Sequence, residues 1–428
     1  MRDVINIGII GFGVVGGGAV KILTDNRASI SHKVGSELKI KRIADLDITT
    51  PRPVAVDKGI LTTDANDIIS DPDIDIVVET IGGLKPAGDF IRRALENGKH
   101  IVTANKELIA KEGATLLPKA AELGLDFMFE ASVGGGIPII RPMKSCLAGN
   151  EILEVKGIVN GTTNYILSRM SAEGLGFADV LKDAQASGYA EADPTADIEG
   201  FDAAYKISIL ASIAFTSRAD VTKVYREGIT NITAEDMKYA DELGYVIKLL
   251  AIAKLIDDKV QIRVHPAFVP TGHPLANVNG VFNGIYVRGN AVGDVMFYGP
   301  GAGSLAAGSA VVGDVIDIAR NINYRATSRI RCTCFDHREL LPIDSVVCKN
   351  YIRLITDDKP GVLAAVAAEF ARHDVSIKSM LQKGGADDGP DIVWLTHDAL
   401  EKNVGSALDA IAKLPVVKQI CSRIRVEE

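Results

Sequence analysis

The hydrophobic pattern of the first 130 residues alternates short apolar runs with longer amphipathic stretches. Strands are predicted over residues 4–10, 38–43, 74–78, 100–103 and 126–129, and helices over 17–25, 86–97 and onward from about 107. Strands that alternate with helices of ten or more residues are typical of a mainly parallel, doubly wound sheet. We therefore expect an α/β, Rossmann-type domain over residues 1–132, completed by a helix near 304–320.

The pattern changes twice after residue 130. Glycine-rich loops, longer helices and polar strands predict an α+β substrate-binding, catalytic and dimerisation domain over residues 133–342. From residue 349 the predicted order is strand, helix, two strands, helix and strand, with the helices over 362–373 and 399–414. An order of βαββαβ within about eighty residues is typical of a ferredoxin-like module.

Length, charge and cysteine usage narrow the class of protein. The chain of 428 residues has 47 Lys and Arg against 55 Asp and Glu, and its net charge of −8 opposes a nucleic-acid partner. No run of eighteen apolar residues predicts a membrane span, and the N-terminus lacks the pattern of an export signal. Five scattered cysteines suit reduced thiols in the cytoplasm, and Cys332 with Cys334 lacks a second Cys or His pair that would make a zinc site.

A glycine-rich turn follows the first predicted strand and opens the first predicted helix. Its pattern is Gly11-x-Gly13-x-x-Gly16, in which the glycines permit a tight turn, close approach of a pyrophosphate and close helix packing. The free N–H groups at a helix N-terminus favour phosphate. We therefore predict a dinucleotide cofactor held by Gly11, Phe12, Gly13, Val14, Val15 and Gly16.

Residues at the ends of the next strands bear on the same cofactor. Asp45 ends the second strand, where a carboxylate usually binds the adenosine ribose, but Arg52 is close enough in sequence to bind a 2′-phosphate. The choice between NAD and NADP therefore stays open. Thr80 and Lys106 follow later strands at the edge where ligands bind, and Lys106 is either a site residue or a solvated lysine at a helix start.

The densest group of charges is the acidic run that ends at a lysine. Glu191, Asp193, Asp197, Glu199 and Asp202 precede Lys206, and the apolar stretch that follows predicts one buried helix from the Asp193–Pro194 start. A buried ammonium group needs a carboxylate or a polar cavity. A lysine among carboxylates suits proton transfer and the binding of an amino-acid ammonium group, and we favour that interpretation over a structural ion pair.

Two glycine-rich loops are further candidates. Glu130 precedes Val133, Gly135 and Ile137 in a loop whose carbonyl oxygens suit a hard monovalent cation, with a domain hinge as the alternative. The loop at 299–304 precedes a predicted helix. Two interpretations are open: its backbone contacts the cofactor, or the loop is a turn that only allows close packing.

These motifs together resemble homoserine dehydrogenase over nearly the whole chain. The resemblance rests on GFGVVG, VVETIGG, GKHIVTANKELIA, EASVGGGIPII, GIVNGTTNYIL, ASGYAEADPTADIEGFDAAYKISIL and YGPGAG. The C-terminal module, with Asp358-Lys-Pro-Gly361 after its first strand, resembles an ACT domain. Because no aspartokinase segment precedes the glycine turn, the form expected is the monofunctional one.

The resemblance implies a reaction and roles for particular residues. The reaction is the reversible NAD(P)H-dependent reduction of L-aspartate 4-semialdehyde to L-homoserine, in the synthesis of threonine, methionine and isoleucine. Lys206 would be the proton donor, and Lys106 would lie beside the substrate and the nicotinamide. The other implied roles are substrate positioning for Asp202 and Asp197, substrate-ammonium binding for Glu191, Na⁺ binding for Glu130, Val133, Gly135 and Ile137, and cofactor contacts for Gly188 and Gly303.

The resemblance also implies partners. The relatives' ACT domains bind amino acids, which makes threonine at this module an expectation, and a homodimer or homotetramer is expected. Two alternatives remain. Another amino-acid-linked dehydrogenase would share the glycine turn but not the Glu191–Lys206 run, and a non-catalytic amino-acid sensor would have no need of Lys206.

Overall fold

The chain forms two compact units in a computed structural model that describes residues 2–327, 329, 332–334, 336–384 and 389–428. Unit 1 comprises Met1–Val159, Ala204–Lys223 and Phe282–Arg338. Unit 2 comprises Asn160–Ala203, Val224–Val281 and Glu339–Glu428. The chain therefore passes between the units several times.

The strands of the described residues, in chain order, are β1 Val4–Ile10, β2 Glu37–Ala44, β3 Leu61–Thr62, β4 Ile76–Glu79, β5 His100–Thr103, β6 Phe127–Met128, β7 Ile152–Ile158, β8 Tyr225–Arg226, β9 Tyr245–Ile256, β10 Lys259–Pro270, β11 Phe282–Gly289, β12 Gly293–Pro300, β13 Leu340–Leu341, β14 Val347–Thr356, β15 Ile377–Lys383, β16 Asp391–Thr396, β17 Ala399–Leu400 and β18 Val417–Val426.

The α-helices of the same residues are α1 Val14–Asp25, α2 Arg27–Val34, α3 Asn66–Ile69, α4 Ala87–Glu96, α5 Lys106–Glu122, α6 Ile140–Lys144, α7 Gly161–Glu173, α8 Phe177–Ala186, α9 Thr195–Ile198, α10 Phe201–Ala214, α11 Ala234–Glu242, α12 Ser304–Tyr324, α13 Val362–Arg372 and α14 Glu401–Ile411. None of these helices is long and apolar enough to cross a membrane.

Unit 1 is built on a six-stranded parallel sheet. Its strand order is β3-β2-β1-β4-β5-β6, the order of a Rossmann-type domain. The central strand β1 is apolar because helices cover both faces of the sheet, and Ile5, Ile7 and Ile9 are fully buried. The predicted doubly wound fold class is confirmed. A separate antiparallel group, β12-β11-β7, belongs to the same unit.

Close packing of two helices completes this domain. A Cβ at Gly18 of α1 would lie 1.9 Å from the carbonyl oxygen of Ser304, and a Cβ at Gly308 would lie 2.6 Å from the backbone of Gly18. Glycine therefore brings α1 and α12 into backbone contact. The helix predicted near 304–320 is present and extends to Tyr324.

In unit 2 the C-terminal module shares a sheet with a long hairpin. The order is β9-β10-β18-β14-β16-β15, in which β10 pairs with β9 antiparallel and with β18 in parallel, through Ala267 with Arg425 and Phe268 with Val426. The elements from β14 to β18 follow the predicted βαββαβ order, with the two-residue strand β17 added. The last strand of the module is thus also a strand of the hairpin's sheet.

Buried charges lie beside the pairing of β10 with β18. The Arg263 guanidinium donates to Glu427 at 2.5 Å, and each side chain is at most 3% exposed. Asp236, fully buried, accepts hydrogen bonds from Tyr351, Arg353 and Ser422. Removing one member of such a buried pair leaves an uncompensated charge. Shortening the Arg263, Glu427 or Asp236 side chain should therefore destabilise the sheet where β10 pairs with β18.

Two predicted helices differ from the structure. The helix expected to run on from Pro194 is two helices, α9 and α10, because Gly200 has a φ of +77° that breaks the helix between them. The helix predicted over 399–414 begins with the strand β17 and becomes helical only at Glu401, because Cys348 and Val347 of β14 pair with its first residues.

Candidate active site

The glycine turn after β1 is fixed by its neighbours in unit 1. Gly11 has a φ of +105°, and a Cβ at Gly16 would lie 2.0 Å from the carbonyl oxygen of Gly11. Thr80, at the end of β4, donates its hydroxyl to that same oxygen at 2.9 Å. The predicted cofactor residues Gly11, Gly16 and Thr80 therefore lie together at the carboxyl ends of β1 and β4, where strand order reverses.

The N-terminus of α1 is open toward this turn. Gly13 is the N-cap, makes no side-chain capping bond, and has no heavy atom within 4 Å of the position a Cβ would occupy. The first N–H groups of a helix point outward and carry partial positive charge. The space at Gly13 and the donors at Val14 and Val15 suit a pyrophosphate.

Asp45 and Arg52 lie at the adenosine end of the same edge. The Asp45 carboxylate accepts from the Phe12 N–H at 2.5 Å and from the Asp47 N–H at 2.9 Å. Arg52 donates to the Asp47 carbonyl at 2.8 Å, lies 5.8 Å above the Phe12 ring, and has a buried Nε with no partner. A carboxylate and a guanidinium thus meet here, so the geometry accommodates either cofactor.

A turn beyond β4 is held by two side chains for which the sequence analysis predicted no role. Glu79, fully buried, accepts from the N–H groups of Ile81 at 2.9 Å and Gly82 at 3.0 Å. Asn105 caps α5 through the Leu108 N–H and donates to the Gly83 carbonyl at 2.6 Å. These bonds fix the start of α5, and Lys106 is its first residue.

Helix α10 brings a second lysine into unit 1. Lys206 is only 9% exposed, and its Nζ donates to the Val159 carbonyl at 2.7 Å. The preceding residue, Tyr205, reaches the Glu107 carboxylate at 3.4 Å. Because Glu107 follows Lys106, this contact joins the two helices beside both lysines.

The acidic residues of the long run are organised in unit 2 by Asn160. Its Nδ2 donates to Asp197 at 2.7 Å and to Asp202 at 2.8 Å, while its Oδ1 accepts from the Thr163 N–H and caps α7. Asp202 is 4% exposed and stands four residues before Lys206 on α10. One buried amide therefore positions two carboxylates.

Glu191 lies on the loop that follows α8 in unit 2. The loop is held to α7 by a bond from Thr162 to the Tyr189 carbonyl at 2.9 Å and by ring contact between Tyr165 and Tyr189, whose centroids are 4.6 Å apart. Glu191 itself is exposed. Gly188, in the same loop, has a φ of +73°.

The Glu130 carboxylate has a structural role that its sequence position did not indicate. Its two oxygens accept from the N–H groups of Ile139 at 2.6 Å, Ile140 at 2.8 Å and Arg141 at 2.7 Å. Burial, together with the Glu130 charge, raises the pKa of the neighbouring Asp314 to about 7. Any cation contact by Glu130 is thus additional to its bonds at the start of α6.

The backbone of the following loop has buried carbonyl groups in need of partners. Val133, Gly135 and Ile137 are buried, and within the described residues no hydrogen bond reaches their carbonyl oxygens. Gly135 packs on the Gly301 carbonyl, and the Asn283 amide beside Gly301 is 1% exposed with neither polar atom bonded. Buried polar atoms rarely remain unsatisfied, so this loop fits an ion or ordered water.

Gly303 is the N-cap of α12 and has a φ of +121°. It lies in unit 1, one residue before Ser304, which packs on α1. The backbone here is therefore next to the helix that begins at the glycine turn, consistent with the expected cofactor contact.

The structure brings most predicted residues into two sets. In unit 1 the glycine turn and Thr80 lie together at the sheet edge, and α10, which carries Lys206, contacts α5, which begins at Lys106. In unit 2 Asn160 brings together Asp197 and Asp202. Asn160 had a sequence signal, since Asn-Gly-Thr-Thr places an N-cap residue after an apolar strand.

Comparison with known proteins identifies the family. The homoserine dehydrogenase profile matches residues 138–316, its NAD-binding domain profile residues 11–130, and the ACT domain profile residues 350–416. Homoserine dehydrogenase from Synechocystis sp. is 46% identical over 99% of both chains. A homoserine dehydrogenase structure from Thiobacillus denitrificans has a TM-score of 0.93 at 42% identity, covering 99% of this chain and 98% of that one.

A hyperthermophilic archaeal homoserine dehydrogenase mutant in complex with NADPH also matches, with a TM-score of 0.62 at 27% identity, over 74% of this chain and 97% of that chain. The predicted family, fold class and enzyme class are confirmed. The chain belongs to the homoserine dehydrogenase family, NAD(P)-dependent oxidoreductases that act on a CH–OH group, and it includes an ACT domain.

Proposed function

We propose that this chain catalyses the reversible NAD(P)H-dependent reduction of L-aspartate 4-semialdehyde to L-homoserine, with Lys206 as proton donor. The observation that supports this assignment best is the buried Lys206 ammonium on α10, oriented by the Val159 carbonyl. A desolvated, fixed ammonium is suited to neutralising charge that develops on an oxygen.

The reaction divides between cofactor and protein. When bound, the nicotinamide supplies the hydride to the aldehyde carbon or accepts it in reverse. Lys206 gives a proton to the alkoxide oxygen, or removes it from the alcohol in the oxidative direction. Lys106, at the start of α5, lies beside the substrate and nicotinamide.

The acids take roles that follow from their burial. Asp202 and Asp197, held by Asn160, position the lysine and the substrate. Glu191 is exposed on its loop, and so is available to bind the substrate ammonium group. The roles of Gly188 and Gly303 as cofactor contacts remain part of this proposal.

A hard monovalent cation, Na⁺, fits the loop after Glu130. The carbonyls of Val133, Gly135 and Ile137 would hold it, because they are buried and have no hydrogen-bond donor among the described residues. Such an ion would fix the loop between Glu130 and α6. Glu130 would contact the ion in addition to accepting its hydrogen bonds at the start of α6. It takes no part in hydride or proton transfer.

The ACT domain adds regulation by a small molecule, and we assign threonine as that ligand. Gly361 is the N-cap of α13, has a φ of +95°, and makes no side-chain capping bond. Free N–H groups at this helix start suit the carboxylate of an amino acid. A homodimer or homotetramer, a cytoplasmic location and a place in threonine, methionine and isoleucine synthesis complete the proposal.

The Lys206→Ala variant should lose homoserine oxidation by about a hundred- to ten-thousand-fold, because general acid–base catalysis is removed. Binding of NAD(P)H, measured by fluorescence titration, should be nearly unchanged. Lys99→Met is the control, since Lys99 is also buried in unit 1 but donates only to the Asp71 and Ile74 carbonyls. A Lys206→Ala rate near that of the wild type would refute the assignment.

The Glu191→Ala variant should raise the homoserine KM about tenfold or more with little change in kcat, because the ammonium is bound in ground and transition states alike. Steady-state kinetics at saturating cofactor measure this. The neighbouring exposed Asp193, whose carboxylate accepts from the Thr195 N–H, provides the control variant Asp193→Ala. If KM moves equally in both variants, Glu191 does not bind the ammonium.

The Asn160→Ser variant should lower kcat/KM for homoserine by about a hundred-fold, because serine can cap α7 but cannot donate to both Asp197 and Asp202. Thr233→Ala, which removes the N-cap of α11 in the same unit, should lower the melting temperature while leaving kcat/KM within about twofold. If kcat/KM falls in both variants only in proportion to the fall in melting temperature, Asn160 acts only as the N-cap of α7.

Threonine and homoserine should weaken each other's binding by the same factor, as binding linkage requires. Calorimetric titration of the full chain measures both, and Gly361→Val should weaken threonine binding by about tenfold or more, because valine disfavours a φ of +95°. Gly174→Val, at another open left-handed position of unit 2, is the control.

The full chain is required because β18 pairs with β10, so a truncation at the ACT domain would remove a strand from the sheet. Inhibition that is unchanged in Gly361→Val would mean that threonine acts as a substrate analogue. Absence of any threonine binding would leave the ACT domain as a structural unit.

A further inference from the structure

Two cysteines of unit 1 share a cavity with the helices that carry the site lysines. Cys332 and Cys334 line it opposite Ile109 of α5 and Ser212 of α10, and Lys144 and Arg218 complete its polar lining. α5 begins at Lys106, and α10 carries Lys206. The reaction described above uses neither thiol.

The two thiols are in contact with each other and with α10. The Cys334 thiol donates to the Ser212 carbonyl at 3.1 Å. The Cys334 thiol proton can turn instead to the Cys332 sulfur, and this contact, with the Cys334 backbone N–H, lowers the pKa of the Cys332 thiol well below its usual range. The charges of Lys144 and Arg218 act in the same direction, against the effect of burial. The pKa of Cys334 is raised.

The remaining cysteines lack these features. Burial raises the pKa of Cys348, and it also raises that of Cys421. Cys146 is exposed and has no neighbouring thiol among the described residues. Thiolate character and a partner thiol coincide only at Cys332 and Cys334 within the described residues, and these are the properties of a nucleophilic and resolving pair.

We propose that Cys332 and Cys334 are a redox-active dithiol that low-molecular-weight disulfides of the glutathione type oxidise to an intrachain disulfide, slowing turnover.

The chemistry has two balanced steps. The Cys332 thiolate attacks one sulfur of the small disulfide, forming a mixed disulfide and releasing one small thiolate. The Cys334 sulfur, having lost its proton to that thiolate or to solvent, then displaces the second small thiol and closes the Cys332–Cys334 bond. Two protein thiols are oxidised, and one small disulfide is reduced to two thiols.

Closure of this bond affects the helix that carries Lys206. The oxidised Cys334 sulfur has no proton, so its hydrogen bond to the Ser212 carbonyl is lost. Because Ser212 and Lys206 are on one helix, we expect turnover to fall by about threefold or more while the fold is retained.

The test treats the full chain with oxidised glutathione and maps its thiols by mass spectrometry. The peptide containing Cys332 and Cys334 should lose two hydrogens, and homoserine oxidation should slow and recover with dithiothreitol. The Cys332→Ser variant is the matched control, because it removes the nucleophilic thiol while Cys334 keeps its hydrogen bond to the Ser212 carbonyl. It should be active and insensitive to the oxidant.

A second measurement uses iodoacetamide at neutral pH in limiting amount. Cys332 should be alkylated faster than Cys146, although Cys146 is the more exposed. Faster labelling of Cys146, or a mixed glutathione adduct without the internal disulfide, would overturn the proposal that Cys332 and Cys334 form a redox-active dithiol. Loss of activity in Cys332→Ser equal to that of the wild type under oxidant would overturn the proposal, because that variant lacks the nucleophilic thiol.

Discussion

The hydrogen bonds from the Asn160 amide to Asp197 and Asp202 are the interaction on which the proposed catalytic arrangement depends. They join the start of α7 to α9 and to the first turn of α10, three segments separated by up to forty-two residues of sequence. Two carboxylates this close together would repel each other without a shared donor. The amide donates one hydrogen bond to each carboxylate and caps α7 with its oxygen, so one side chain sets the position of the acids and of the helix.

The same requirement, that a buried charge must have partners, explains the remaining polar core. Lys206 is oriented by the Val159 carbonyl, which immediately precedes Asn160 in the chain. Asp236 of α11 accepts from Tyr351, Arg353 and Ser422 of the C-terminal module, and Arg263 of β10 pairs with Glu427. Because these bonds link α11 and β10 to the C-terminal module, and β10 also pairs with β18, one sheet continues from the β9–β10 hairpin into the module.

The sequence was sufficient for the periodic features and for the glycine turn. The parallel strands, the helix after Gly16 and the terminal βαββαβ order follow from local patterns of burial, and they are present. The break at Gly200 was missed because a single glycine inside a helical pattern is tolerated and does not by itself predict a helix end. Only its left-handed backbone reveals the break.

Local sequence patterns could not predict hydrogen bonds between residues that are distant in sequence. The position of Glu130 before a glycine loop left a cation site and a domain hinge open, and the family resemblance favoured Na⁺, but its bonds to three N–H groups near α6 appear only in the fold. Asn160 could be recognised as an N-cap but not as the donor to Asp197 and Asp202, since that requires knowing where α9 and α10 begin. The roles of the site residues themselves stay predictions.

A double-mutant cycle between Asn160→Ser and Asp202→Ala, measured as kcat/KM for homoserine, tests the central claim most directly. If the amide acts through the carboxylate, Asn160→Ser should have little further effect once Asp202 is gone, giving a coupling energy of about 1–3 kcal/mol. Effects of the two substitutions that simply add would contradict the account, because Asn160 would then influence turnover by a route independent of Asp202.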